Sequence, residues 1–194
     1  MNKFIALDIG NVCFNIDKSS WIHELNSNYS EELKIHVEEL WKKFEKGEFS
    51  QELFLNGLMN ISDKSLTIYE LIAIFSTVIS EEIEGMKGII EKIVKKGYKV
   101  AFFSDTSILH LTEIRSKLSF SHLIIGGVFS FETGSFKPVK KNFIEFERRY
   151  GKPELFIDDL ERNCNGAIEY GWNTHLFVST DKLYERLIKD EIIS

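Results

Sequence analysis

Apolar residues follow two different rhythms along the chain. Phe4-Ile5-Ala6-Leu7-Asp8-Ile9 forms a short, nearly continuous apolar run, the pattern of a strand covered on both faces. From about Ser19 to Ser80 the pattern is purely helical. Leu33, Val37, Leu40, Trp41 and Phe44 recur at helical spacing, with Glu and Lys between them. Gly47 is placed to stop that helix and Ser50 to cap the next, which carries Leu53, Phe54 and Leu58. The apolar segment Leu66 to Ile79 completes about four helices.

The second rhythm alternates. An amphipathic helix is predicted over Ile83 to Lys96, ended by Gly97, and a strand over Lys99 to Ser104. A helix follows over Ile108 to Leu118, then the apolar stretch Leu123 to Phe131 and a helix from Asn142 to Tyr150. Glu154 to Asp158 is a strand, Glu161 to Tyr170 a helix, Thr174 to Val178 a strand, and a last helix starts near Asp181. Strands alternating with helices imply βαβ units, hence an α/β fold with a doubly wound parallel sheet. The helical region becomes an insertion after strand 1. Residues 1–16 and 81–194 then form the core and residues 17–80 the insertion, joined by short polar hinges, since the chain has only 2 prolines and no Pro-rich linker.

Composition narrows the function. A net charge of −6 argues against a nucleic-acid surface, which needs clustered Lys and Arg. No run approaches the roughly 20 apolar residues that span a bilayer, and Asp8 interrupts the one apolar start that resembles a secretory leader. Cys13 and Cys164 have no disulfide or zinc spacing, which fits a reduced, cytoplasmic setting. An acidic protein that handles an anion must supply positive charge locally.

Four points carry candidate chemistry, each at or near a strand exit: Asp8, Ser104-Asp105-Thr106, Lys137 and Asp158-Asp159. Ligands of open α/β sheets bind beyond those strand ends. Each point has a plain alternative. Asp8-Ile9-Gly10-Asn11 can be a turn, Ser104 a helix cap and Lys137 a solvated lysine, while Asp158 with Glu161 has capping-box spacing. Together they supply the parts of phosphoryl transfer. A carboxylate nucleophile splits a hard hydrolysis into two easier steps. Its repulsion from phosphate calls for a cation, and magnesium is typically held by one or two carboxylates plus phosphate and water. Asp8 and the Asp158/Asp159 pair offer those carboxylates. Ser104, with the backbone amides at Ser104-Asp105, offers donors to phosphate oxygens, and Lys137 balances the remaining charge.

These residues resemble the four motifs of the haloacid dehalogenase (HAD) superfamily over nearly the whole chain. Asp8 matches the nucleophile, Ser104 the motif II hydroxyl, Lys137 the motif III lysine and Asp158-Asp159 the motif IV acids. The resemblance implies a HAD-like, Rossmann-type core whose insertion is a small α-helical cap. It also implies Mg2+ held by Asp8, the Gly10 carbonyl and the motif IV acids, without separating Asp158 from Asp159. Asp8-Ile9-Gly10-Asn11-Val12, the cap segment Phe44-Glu45-Lys46-Gly47-Glu48-Phe49-Ser50 and Ser104-x-Thr106…His110 are similar to the α-glucose-1-phosphate phosphatase-like branch. The expected activity is phosphatase action on a small phosphorylated metabolite such as a sugar phosphate, by a monomer or homodimer. Exposed Phe on the cap would serve a dimer.

Two departures stand out. Most phosphatases of the superfamily carry a second Asp two positions after the nucleophile, where this chain has Gly10; Asp105 stands where the branch usually has Asn. General acid–base help is typically worth about 10²–10⁴-fold. Asp105 or Asp17 can supply the proton, or Asp105 only caps the helix after strand two. Dehalogenase, phosphotransferase and non-catalytic binding readings remain beside the phosphatase one. The five histidines, with Trp21, Trp41 and Cys13, are read as packing or surface residues.

Overall fold

The computed structural model describes residues 3–18, 20–28 and 30–194. Five strands form the main sheet: β1 (Lys3–Leu7), β4 (Tyr98–Ser104), β5 (Ile124–Phe129), β6 (Leu155–Asp158) and β7 (Thr174–Leu176). Their order is β5-β4-β1-β6-β7 and every pairing is parallel. The chain runs outward from β1 to β5, then crosses back to place β6 on the other side of β1. The strand order therefore reverses between β1 and β6, the point at which such sheets bind ligands.

Period-two alternation explains why this sheet is covered on both faces. Ile5, Leu7, Val100, Phe102, Leu155 and Ile157 point to one face. There they meet α5 (Met86–Lys95), α6 (Ile108–Lys117) and α10 (Thr180–Lys189) through Ile90, Leu111 and Leu183. Ala6, Ala101, Phe103 and Phe156 point to the other, against Phe143 and Phe146 of α8 (Lys140–Tyr150), Ala167 of α9 (Glu161–Tyr170) and Trp172. Each large apolar side chain so buried contributes about 1.5–3 kcal/mol. A short helix, α7 (Ser130–Thr133), leads from β5 toward Lys137.

The insertion carries α1 (Ser20–Leu25), α2 (Glu31–Glu45), α3 (Gln51–Ile61) and α4 (Ile68–Ser76) around its own core of Trp21, Val37, Trp41, Phe44, Phe54 and Phe75. Trp21, Trp41 and Phe75 meet edge to face, with centroids 5.2–5.7 Å apart. Ser50 caps α3, as its position predicts, by accepting from Leu53 N. Two expectations fail here. The region is not purely helical to Ser80: β3 (Ile79–Glu82) pairs antiparallel with β2 (Phe14–Ile16), so a two-stranded ribbon replaces the polar hinges. Both strands are too short and polar for their alternation to stand out from the neighbouring helices. The expected helical start, Ser19, lies outside the described residues. Nor does the cap expose Phe: Phe44, Phe54 and Phe75 are buried and Phe49 is partly so. Among the described residues, no helix is long and apolar enough to cross a membrane.

Candidate active site

The candidate site lies at the carboxyl ends of β4, β1 and β6. Asp8 follows β1 directly, its amide donating to Ile157 O at 2.9 Å. Ser104 ends β4 and Asp158 ends β6. Lys137, buried, comes from the loop before α8. Its ammonium lies 2.9 Å from Asp8 Oδ1 and 2.6 Å from Asp158 Oδ2, and donates to Phe103 O at 2.9 Å. The ammonium thus makes two hydrogen bonds and, with Asp8, a close ion pair.

Burial pushes the Asp8 carboxyl up to about 7; Lys137 pulls it down, Asp158 adds to the rise, and a hydrogen bond with Ser104 opposes it. Burial also presses the Lys137 ammonium down, but Asp8, Asp158 and Asp105 outweigh it and hold its pKa above the ordinary lysine value. Lys137 is therefore a fixed cation.

The two motif IV acids differ in environment. Asp158 is fully buried and its oxygens are taken by Lys137, by Leu160 N at 2.8 Å and by Asn163 Nδ2 at 3.0 and 3.1 Å. Asp159 is partly buried on a cavity wall and accepts from Asn11 Nδ2 at 3.0 Å. The Asp158–Glu161 capping box does not form, since Leu160, not Asp158, is the N-cap of α9, and no side chain caps that end. One oxygen from each of Asp8, Asp158 and Asp159 lies within 4.8 Å of the others. Asn11 and Asn163 were missed as partners of these acids. Asn11 had a signal in its place in the turn: its φ of 52° is left-handed, a conformation Asn tolerates. Its Oδ1 also accepts from Ile16 N.

Asp105 does not cap α6; Ser107 does, accepting from His110 N. Both Asp105 oxygens instead accept from Lys137 N, at 3.0 and 3.1 Å, which braces the loop that delivers the lysine. Asp17 is exposed beside the ribbon, with its amide on Val78 O. His110 has the structural role expected of it. Its ring stacks on Phe75 at 4.0 Å and its Nε2 meets Phe75 O at 3.1 Å, tying α6 to the cap. Burial lowers its pKa to about 4, so it is neutral at pH 7.

Between cap and core lies a cavity of about 620 Å³. Asp8, Gly10, Ser104, Asp105, Lys137 and Asp159 form its floor, and Lys18, Trp41, Glu45, Lys46 and Phe136 are among its other walls. That volume admits a small metabolite. The cap is seated on the core by Ser130. Its hydroxyl lies 2.6 Å from Glu45 O and accepts from Thr106 N at 3.0 Å. Gly47, at φ 67°, presses so closely that a Cβ there would sit 2.2 Å from Phe131 O. Gly47→Ala should therefore lose at least the 1–2 kcal/mol, roughly, of a left-handed L-residue and unseat the cap. Urea denaturation and a raised KM check this.

No protein-family profile and no curated protein matches the chain. Solved structures do. The HAD family enzyme bt-2542 from Bacteroides thetaiotaomicron superposes with a TM-score of 0.82 at 21% identity, over 92% of this chain and 95% of that one. The fold is that of the HAD enzymes. A predicted HAD-like family hydrolase from Porphyromonas gingivalis gives 0.79 at 20% identity over 97% of both chains. The L-2-haloacid dehalogenase of Xanthobacter autotrophicus, with chloropropionic acid covalently bound, gives 0.63 at 13% identity over 100% and 85%. The Bacteroides enzyme has also been crystallised with magnesium and inorganic phosphate. The HAD fold thus accompanies both phosphate and haloacid ligands, and the site must choose between them.

Proposed function

We propose that this HAD-fold chain is a magnesium-dependent phosphatase acting on a small phosphorylated metabolite, such as a sugar phosphate, through a phosphoryl group carried on Asp8. The supporting observation is a charge imbalance. With all three carboxyls ionised, Asp8, Asp158 and Asp159 face a single ammonium, that of Lys137, which leaves two negative charges among these four groups. A dication balances them, and the donor set of carboxylate oxygens suits magnesium. Asp8 and Asp159, with the Gly10 carbonyl, would hold the ion. Asp158, saturated by Lys137, Leu160 N and Asn163, would hold the lysine. When bound, the metal neutralises charge between carboxylate and phosphate.

The residues of the chain divide the remaining work. Asp8 attacks phosphorus, Lys137 keeps it ionised and oriented, Ser104 donates to a phosphate oxygen, and the cap excludes water and contacts the leaving group. Free thiols at Cys13 and Cys164, both buried, agree with a reducing compartment. Dehalogenation is the weaker reading. It needs no metal, and leaves Asp159 on the cavity wall without a task.

Phosphate release is expected from sugar phosphates and aryl phosphates with Mg2+, to vanish on chelation and to return with added Mg2+. Release indifferent to chelation would overturn the reading.

A further inference from the structure

Gly10 leaves the nucleophile without a neighbouring side chain to hand a proton to the departing oxygen. The substitutes offered by the sequence are poorly placed: Asp105 is bound to Lys137 N, and Asp17 is exposed beside the ribbon. A carboxyl group does reach the same cavity from the opposite side. Glu45 ends α2, one turn after Trp41, and shares cavity walls with Asp8, Gly10 and Ser104. Its position is fixed. Ser130 holds its carbonyl while binding Thr106 N, which locks Glu45 against the exit of β4. Gly47 presses the following turn onto Phe131.

We propose that Glu45 is the acid–base residue of the reaction, acting from the cap in place of the side chain absent at Gly10. This rests on the phosphatase reading. As Asp8 bonds to phosphorus, the bond from phosphorus to the leaving oxygen breaks, and that oxygen takes the proton of the Glu45 carboxyl and departs as an alcohol. A water then attacks phosphorus and gives its proton to the Glu45 carboxylate. The bond to Asp8 breaks, releasing phosphate and restoring both carboxyl groups to their starting states.

The surroundings suit this exchange. Glu45 is partly exposed as a residue, yet its carboxyl group is hemmed in by protein, and burial lifts it to about 7. Lys18 and Trp41 pull it down and Asp105 adds to the rise. Trp41 Nε1 is buried without a partner of full hydrogen-bond geometry, yet is near enough to Glu45 to act on it. The other charged walls are Glu38 and Lys42 on the same helix, Lys46 after it, Asp8, Lys137 and Asp159 from the core and Arg162 on α9; His110 on α6 is neutral. A group that titrates near 7 is well matched to proton exchange at neutral pH.

The test follows phosphate release from alkyl or sugar phosphates and from para-nitrophenyl phosphate, with Mg2+, for the unaltered protein, Glu45→Gln and Glu45→Asp. Glu45→Gln should lower kcat/KM on alkyl esters by about 10²–10⁴-fold and far less on the nitrophenyl ester, whose leaving group needs no proton. It should also remove the fall in kcat/KM as pH rises through about 7, and Glu45→Asp should regain part of the rate. Equal losses on both esters, or an unchanged pH limb, would overturn the inference. Where circular dichroism shows a misfolded variant, the unaltered protein decides: a limb seen with alkyl but not nitrophenyl esters supports Glu45, and any other pattern overturns it. No release from any ester by the unaltered protein would overturn the phosphatase reading itself, and this inference with it.

Discussion

Asp8→Asn is expected to stop phosphate release, by roughly 10⁴–10⁶-fold as for other covalent nucleophiles, without weakening the fold. The amide keeps the size of the carboxylate and the backbone bond to Ile157 O, but it offers no anion to attack phosphorus. Stability should not fall, because the site is built against burial. Burial raises the folded pKa of Asp8 to about 7, above the ordinary value near 3.9. The stability linked to this group is present in full below about pH 4 and is lost as pH rises to about 7, where the buried carboxyl ionises. Asparagine removes that loss, and Lys137 keeps Asp158 and Phe103 O as partners. The metal-free variant should thus melt no lower than the unaltered protein at pH 8, the exchange of stability for activity expected of a catalytic carboxylate. Rapid-quench trapping of a phosphoprotein, present with Asp8 and absent with Asn, completes the measurement. Residual turnover within tenfold of the unaltered protein would place the nucleophile elsewhere.

The legibility of this site in the sequence depended on backbone pattern more than on side-chain identity. Strands such as Lys99 to Ser104 and Leu155 to Asp158 announce themselves as apolar runs, and their exits are where Ser104 and Asp158 must lie. The β2–β3 ribbon was hidden because three- and four-residue strands carry too few side chains to show a period. Which motif IV acid faces the cavity was hidden for another reason. Asp158 and Asp159 are chemically identical, and only the three-dimensional positions of Lys137 and Asn163 separate them. The capping role offered for Asp105 fails because its partner, Lys137 N, is 32 residues away, whereas a helix start lies next to it. Glu45 was read only as part of a cap segment; nothing local marks a glutamate at a helix end as facing a distant strand exit.

Lys137→Met should cost both activity and stability, and the stability loss is the larger structural prediction. The ammonium is the only cation bonded to Asp8 and Asp158 among the described contacts, and all three groups are buried. Its removal leaves two buried carboxylates without a cation, Asp158 keeping only the neutral donors Leu160 N and Asn163 Nδ2, a situation that typically costs roughly 3–5 kcal/mol. The Asp8 carboxyl, already raised by burial, must then rise further once the lysine that pulls it down is gone. The stability linked to Asp8 is present in full at low pH, where it is protonated in both states, and is lost as pH rises through its raised folded value. Urea denaturation should therefore show a larger deficit at pH 8 than at pH 5. Adding Asp158→Asn to Lys137→Met removes one of the stranded charges and should return part of the stability but none of the activity, since Asp8 still lacks its cation. The coupling between the two substitutions, read from the double-mutant cycle, measures the interaction directly. A Lys137→Met protein as stable as the unaltered one at pH 8 would mean that solvent reaches these carboxylates, and that Lys137 is not what lets a nucleophile stay ionised inside the fold.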